Sequence, residues 1–109
     1  MFYETSRNDH GFDVDPFKAL VAPRPIGWIS SVSPEGIRNL APYSYFNAFA
    51  QAPHYLAIGS GLSHAGGKKD SLSNIEETQE FVVNLVTLAL KDAMNVSAAN
   101  APPDVDEFD

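Results

Sequence analysis

The chain has 109 residues, which bounds it to one domain with one modest core; a chain of this size buries roughly 65% of the surface its unfolded form exposes. Seven basic residues stand against 14 acidic ones, a net charge of −7. That charge lacks the basic footprint which phosphate-backbone binding needs, so nucleic acid is excluded as the expected partner. Cysteine is absent, which removes disulfides, thiolate nucleophiles and Cys-ligated zinc.

Hydrophobic content of 44% suits a globular chain rather than a disordered one. Apolar runs such as Phe81-Val82-Val83 are too short to span a bilayer, and the start, Met1-Phe2-Tyr3-Glu4, has no basic and apolar leader pattern. A cytoplasmic location is the default expectation.

In chain order, residues 1–12 show no periodicity and read as an extended arm, with residues 1–14 preceding a single domain. Asp15 before Pro16 reads as an N-cap followed by proline at the first helical position, opening a short helix to about Leu20. Pro23 and Pro25 force an extended approach to a strand from Ile26 to Val32, with Ile26, Trp28 and Val32 on one face. Ser33-Pro34-Glu35-Gly36 is a turn, and Ile37 starts the return strand, so residues 26–43 form a hairpin.

The return strand runs into Arg38-Asn39-Leu40-Ala41-Pro42-Tyr43-Ser44-Tyr45-Phe46-Asn47. Pro42 lacks a backbone donor and predicts an edge or a bulge, where freed backbone groups and re-aimed side chains can meet a ligand. An irregular edge strand running into a loop is the plainer reading of the same residues.

Phe49 to Pro53 reads as a connection, and His54 to Ile58 as a third strand. A loop rich in Gly, Ser and Lys leads to a helix capped by Asp70 or Ser71, with Leu72 and Ile75 on its buried face and an end near Thr78. Glu80 to Val86 is the fourth strand, and Thr87 caps a last helix presenting Leu90, Ala93, Met94 and Ser97 on one face. From Asn100 the chain becomes an acidic tail, residues 100–109, expected to be solvated. Strands outnumber helices, which predicts a mainly-β or α+β domain built on an antiparallel sheet or barrel.

The loop from Gly59 to Ser71 carries four glycines, Lys68, Lys69 and then a helix N-terminus, the parts of a phosphate site without the spacing of a Walker loop. Tyr43, Tyr45 and Phe46 offer surfaces for a flat ring; Asn39, Ser44 and Asn47 offer hydrogen bonds to a polar edge. Together these are the inventory for flavin mononucleotide. Micromolar binding needs about 8 kcal/mol, whereas one charge-assisted hydrogen bond contributes ~1.5–3 kcal/mol, so phosphate and ring contacts are both required. His10, His54 and His64 have no metal-ligand spacing, and Glu76, Glu77 and Glu80 read as the solvated face and end of a helix.

Four segments, residues 22–30, Asn39–Asn47, residues 69–75 and residues 80–85, resemble flavin reductases of the FMN-binding split-barrel superfamily, in order and at family-like spacing from about Phe12 to Phe108. The resemblance implies a six-stranded antiparallel Greek-key barrel, usually dimeric, with FMN at the subunit interface. It implies that Asn39, Ala41, Pro42, Tyr43, Ser44, Tyr45, Phe46 and Asn47 line the isoalloxazine and ribityl chain, and that Lys69, Asp70 and Ser71 lie near the phosphate. It further implies NAD(P)H as hydride donor and, for some members, a partner monooxygenase that receives reduced flavin. Members are close to twice this length, so the barrel is expected to be incomplete in this chain. The alternative is a non-catalytic split-barrel fragment that binds flavin or dimerises without turnover.

Overall fold

The computed structural model describes residues 3–61, 66–99, 101–102 and 105–108. Helix α1 spans Pro16–Leu20, and its start follows the expected chemistry: the Asp15 carboxylate accepts the Phe17 amide at 2.9 Å. Arg24 closes the other end by donating from Nη1 to the carbonyls of Lys18 at 2.8 Å and Val21 at 2.7 Å. Ahead of the helix the arm is folded rather than simply extended. The Arg7 and Asn8 amides turn back to the Glu4 carbonyl, and His10 sits between the Tyr3 and Phe12 rings.

Strands β1, Gly27–Val32, and β2, Arg38–Tyr43, form the expected hairpin, in unbroken register from Gly27 opposite Tyr43 to Val32 opposite Arg38. Its turn works because Gly36 takes a φ of +87° while its amide donates to the Ser33 carbonyl at 2.9 Å. The buried face of β1 is Gly27, Ile29 and Ser31; Ile26 and Val32 are exposed, so the expected face is the outer one.

Pro42 makes no bulge. It lies opposite Trp28 in an edge strand of a three-stranded sheet ordered β2-β1-β5, where β5 is Val82–Asn84. Two residues earlier the Leu40 amide points away from β1 to the Glu107 carboxylate, and by the two-residue period the Pro42 nitrogen faces the same free edge. No ladder bond is lost there. The bulge falls instead in the segment read as a connection. Strands β3, Phe46–Gln51, and β4, His54–Ile58, form a second antiparallel pair whose register shifts between Ala48 and Ala50. Both strands are largely exposed, so burial imposes no alternation that a sequence reading could detect.

β5 is shorter than the segment from Glu80 to Val86 that predicted it, and among the described residues it pairs with β1 alone. Helix α2 is Asp70–Thr78, capped one residue earlier than expected, at Lys69, and ended by Gln79 in the left-handed region. Its buried residues are Ser71 and Asn74; Leu72 and Ile75 are only half-buried. A 3-10 turn, Leu88–Leu90, precedes α3, Lys91–Val96, and the Thr87 side chain makes no capping bond. Buried Ser97 accepts the Trp28 indole N–H at 2.8 Å, docking this end of the chain on β1.

The architecture is therefore two small antiparallel sheets with few helices. Among the described residues no closed barrel forms, and Ile29, Leu40 and Tyr43 are the buried apolar residues.

Candidate functional site

The site is built where the inner face of β2 meets the start of α2. Strand alternation puts Asn39, Ala41 and Tyr43 on the same face as Ile29 and Ser31 of β1, and α2 lies across that face. The helix reaches it with polar side chains: Asn74 Nδ2 donates to Ser31 Oγ at 3.2 Å, and Ser71 Oγ lies 2.6 Å from the Asn39 side-chain amide. Both pairs are buried, which is why the polar stripe of α2, rather than Leu72 and Ile75, faces the sheet. The orientation that satisfies every partner turns the Asn39 oxygen to Ser71 Oγ and to the Leu40 amide at 3.1 Å, and its nitrogen to Glu107 Oε2 at 3.3 Å.

At the helix end, the Lys69 ammonium stands 5.3 Å from the centroid of the Tyr43 ring. The first intrahelical amides, Leu72 and Ser73, donate to the Lys69 carbonyl, leaving the Asp70 and Ser71 amides at the positive end of the helix. Lys68 is drawn aside into an ion pair with Glu76. Beside this cluster is a cavity of about 230 Å³ lined by Tyr43, Ile58, Ser60, Ser71, Leu72, Ile75 and Phe81. Its wall is mostly apolar, with the hydroxyl-bearing residues Tyr43, Ser60 and Ser71 among its lining. The Tyr43 hydroxyl is buried with no hydrogen-bond partner.

Of the residues singled out in the sequence, Asn39, Tyr43, Lys69, Asp70 and Ser71 thus come together. The structure places the others around them. Ala41 and Pro42 are half-buried in β2, and Ser44 is half-buried in the turn to β3. Tyr45 lies under the Arg24 guanidinium, 5.6 Å from its carbon, and beside Phe17. Phe46 packs on Gly27, and exposed Asn47 accepts the Ala48 amide through its own side chain. His64, with the rest of residues 62–65 of the Gly-rich loop, lies outside the described residues.

The acidic tail is the feature the sequence reading missed. Rather than being solvated throughout, it folds onto the edge of β2. Arg38 Nε donates to Asp106 Oδ2 at 2.7 Å, and Glu107 Oε2 accepts the Leu40 amide at 2.6 Å. Asp106 is held below the ordinary carboxylate range, chiefly by the Phe108 amide and also by Arg38. Glu107 is pushed up, chiefly by burial and further by Asp70 and Asp106, against the pull of the Leu40 amide. No local signal marks this contact, because it depends on β2 being an edge strand that needs covering.

Residues 20–109 match the family model of the flavin reductase like domain. An uncharacterised protein of Aquifex aeolicus is 41% identical over 90 residues, covering 83% of this chain and 46% of that protein. One of Deinococcus radiodurans is 41% identical over 93 residues, covering 82% of this chain and 41% of its own length. Among solved structures, nitrilotriacetate monooxygenase component B from Bacillus cereus superposes with a TM-score of 0.81 at 35% identity, covering 99% of this chain and 54% of that one. The 2-nitrobenzoate 2-nitroreductase NbaA of Pseudomonas fluorescens gives 0.66 at 28% identity, over 93% of this chain and 48% of the other. The chain spans about half the length of these relatives, or less.

Proposed function

The chain belongs to the flavin reductase like family, and from that premise we propose that it is an FMN-binding oxidoreductase domain which passes electrons from NAD(P)H to flavin. The observation that carries this reading is the meeting of Asn39 and Tyr43 with Lys69 and Ser71 beside a largely apolar cavity. The residues fit the group. The Lys69 ammonium and the Asp70 and Ser71 amides suit a phosphate, and the apolar wall with the face of Tyr43 suits a flat ring. Asn39, Ser44 and the backbone of Ala41 to Tyr43 are assigned to the ring edge and ribityl chain, and Pro42, Tyr45, Phe46 and Asn47 to positions near the ring outside the cavity wall described above. Asp70 sits at the first helical position, where its own charge competes with an anion and limits affinity.

FMN, when bound, would supply the hydride and electron chemistry; the chain's part is to bind and orient it and to keep water from its buried side. No acid–base residue is assigned. The fold completes as an FMN-binding split barrel in a homodimer, a monooxygenase component is the partner class, and the cytoplasm is the location. The resemblance to a monooxygenase component B supports the partner class.

A second reading is a non-catalytic FMN-binding or dimerising module, and the exposed apolar residues of the β3–β4 ribbon, Phe49 and Tyr55, favour its dimerising form. Visible spectra of the purified chain with FMN, followed by NADH or NADPH consumption with free flavin, separate the two. Bound flavin with turnover supports the enzyme. Bound flavin without turnover supports the FMN-binding module, and no flavin binding refutes the enzyme and leaves only a module that dimerises.

A further inference from the structure

The tail's three last described residues each touch β2 in a different way. Asp106 pairs with Arg38, the Phe108 ring lies 5.1 Å from the Arg38 guanidinium carbon, and between them Glu107 takes the Leu40 amide. Glu107 therefore covers one unpaired amide of a free sheet edge. It does so directly beside Asn39, the residue that reaches Ser71.

We propose that Glu107 is a positioning residue for the ligand-facing pair Asn39 and Ser71, its carboxylate fixing which end of the Asn39 amide meets the serine. The assignment rests on the FMN reading, which makes that pair ligand contacts. An ionised carboxylate only accepts hydrogen bonds, so the Asn39 group turned toward it must be the NH₂, at 3.3 Å. The opposite orientation would set two acceptors against each other. With the nitrogen on Glu107, the Asn39 oxygen takes the Ser71 hydroxyl proton at 2.6 Å. Ser71 is 2% exposed, and its hydroxyl proton is directed inward. Its backbone amide, not its hydroxyl proton, is then the donor left for an anion at the helix start.

The groups around Glu107 are Arg38 and Asn39 on β2, Asp70 and Glu77 on α2, Glu35 in the hairpin turn, and Asp106 beside it in the tail. Arg38 is engaged by Asp106. The surroundings of the Glu107 carboxyl are thus mainly acidic, and its titration falls above the ordinary glutamate range.

Two measurements on the full chain test this. In proton–nitrogen NMR across roughly pH 4 to 7, the Leu40 amide and the Asn39 side-chain NH₂ should shift together as Glu107 ionises, and neither should titrate in E107Q. In FMN titrations, E107A should bind roughly tenfold more weakly at neutral pH. E107Q keeps an acceptor at the same place and should bind within about threefold of the unaltered chain, its affinity flat where that of the unaltered chain changes with pH. An Asn39 NH₂ indifferent to the ionisation, or E107A binding as tightly as the unaltered chain, overturns the proposal. If the unaltered chain binds no FMN, the flavin reading fails, and the NMR result alone decides whether Glu107 orients Asn39. If E107A does not fold, E107Q and the titration of the unaltered chain decide.

Discussion

At Gly27 the three-stranded sheet meets Phe46 of β3, and replacing the glycine with alanine puts a number on that contact. A Cβ added there would lie 2.7 Å from Cδ2 and 2.9 Å from Cγ of Phe46, and 3.2 Å from Cδ1 of Ile29. Carbon pairs prefer about 3.5–4.0 Å, so the Phe46 ring must retreat by roughly 0.8 Å. Phe46 opens β3 and is paired with Ile58, while Ile29 is fully buried, so neither neighbour gives way freely. Overpacking of this kind costs about 1–3 kcal/mol. At roughly 4–8 °C per kcal/mol for a domain near this size, G27A should melt at least several degrees lower. Trp28 is the sole tryptophan and adjoins the substitution, so denaturant unfolding followed by its fluorescence reads the change directly. Phe46→Leu in the same chain should recover much of the loss, giving a coupling of about 1 kcal/mol or more in a double-mutant cycle. An unchanged midpoint in G27A, or strict additivity of the two substitutions, would refute the claim that this contact joins the sheets.

Lys69→Ala should weaken FMN binding by roughly 10- to 100-fold in a flavin-fluorescence titration, whereas Lys68→Ala, whose ammonium is paired with Glu76, should change it little. Ser97→Ala leaves the half-buried Trp28 indole N–H without its acceptor and should cost about 1–2 kcal/mol in denaturant unfolding; an unchanged midpoint would mean that α3 is not docked through this bond. Asp106 has a folded pKa below its unfolded one, so its contribution is present above the unfolded value and lost as pH falls through the folded one. Asp106→Asn should therefore flatten the stability curve below about pH 4, as read by thermal unfolding at several pH values. Glu107 has the opposite sign, its contribution being present at low pH and lost as pH rises through the raised value, so E107Q should flatten the curve on that side.

How much of this was legible in the sequence depended on whether a local rule or a distant partner decided each element. The Asp15-Pro16 cap and the Ser33–Gly36 turn are local chemistry, and both formed as read. The face of α2 was misread because amphipathic reasoning ranks Leu72 and Ile75 above Ser71 and Asn74; only Ser31 and Asn39, more than thirty residues away in sequence, make the polar stripe the buried one. Pro42 raised the right alternatives, edge or bulge, but choosing between them required knowing that its nitrogen shares an edge with the Leu40 amide. β3 was missed because its exposed faces give no burial period and most of it fell in the stretch read as a connection, whereas β4, equally exposed, was read from the composition of His54 to Ile58. Of the cluster that the fold brings together, Asn39, Tyr43, Lys69 and Ser71 were singled out from sequence as a proposed site, while the contact of Glu107 with the edge beside Asn39 was not foreseen: an acidic tail looks solvated until an unpaired strand edge is placed beneath it.

That edge is one part of a larger surface the chain does not cover with its own residues. The accessible area is 8289 Å², against roughly 5,900 Å² expected for a folded monomer of 11.8 kDa. The Cα radius of gyration, 15.9 Å, likewise exceeds the roughly 13 Å expected for 109 residues. The excess, about 2,400 Å², is surface that the longer relatives, of which this chain spans about half, have further chain to cover. Part of it is apolar surface on the β3–β4 ribbon, where Phe49 is 70% and Tyr55 61% exposed, and on the segment after β5, where Leu85 is 86% and Leu88 83% exposed. The cavity beside Tyr43 reaches this ribbon through Ile58, at the end of β4. Burying the ribbon against the proposed second copy would therefore also cover the side of the cavity that Ile58 lines. If the proposed flavin site and the proposed second copy both hold, flavin binding and association should be coupled: the event that removes the exposed aromatics from water would also cover the Ile58 side of the cavity beside Tyr43.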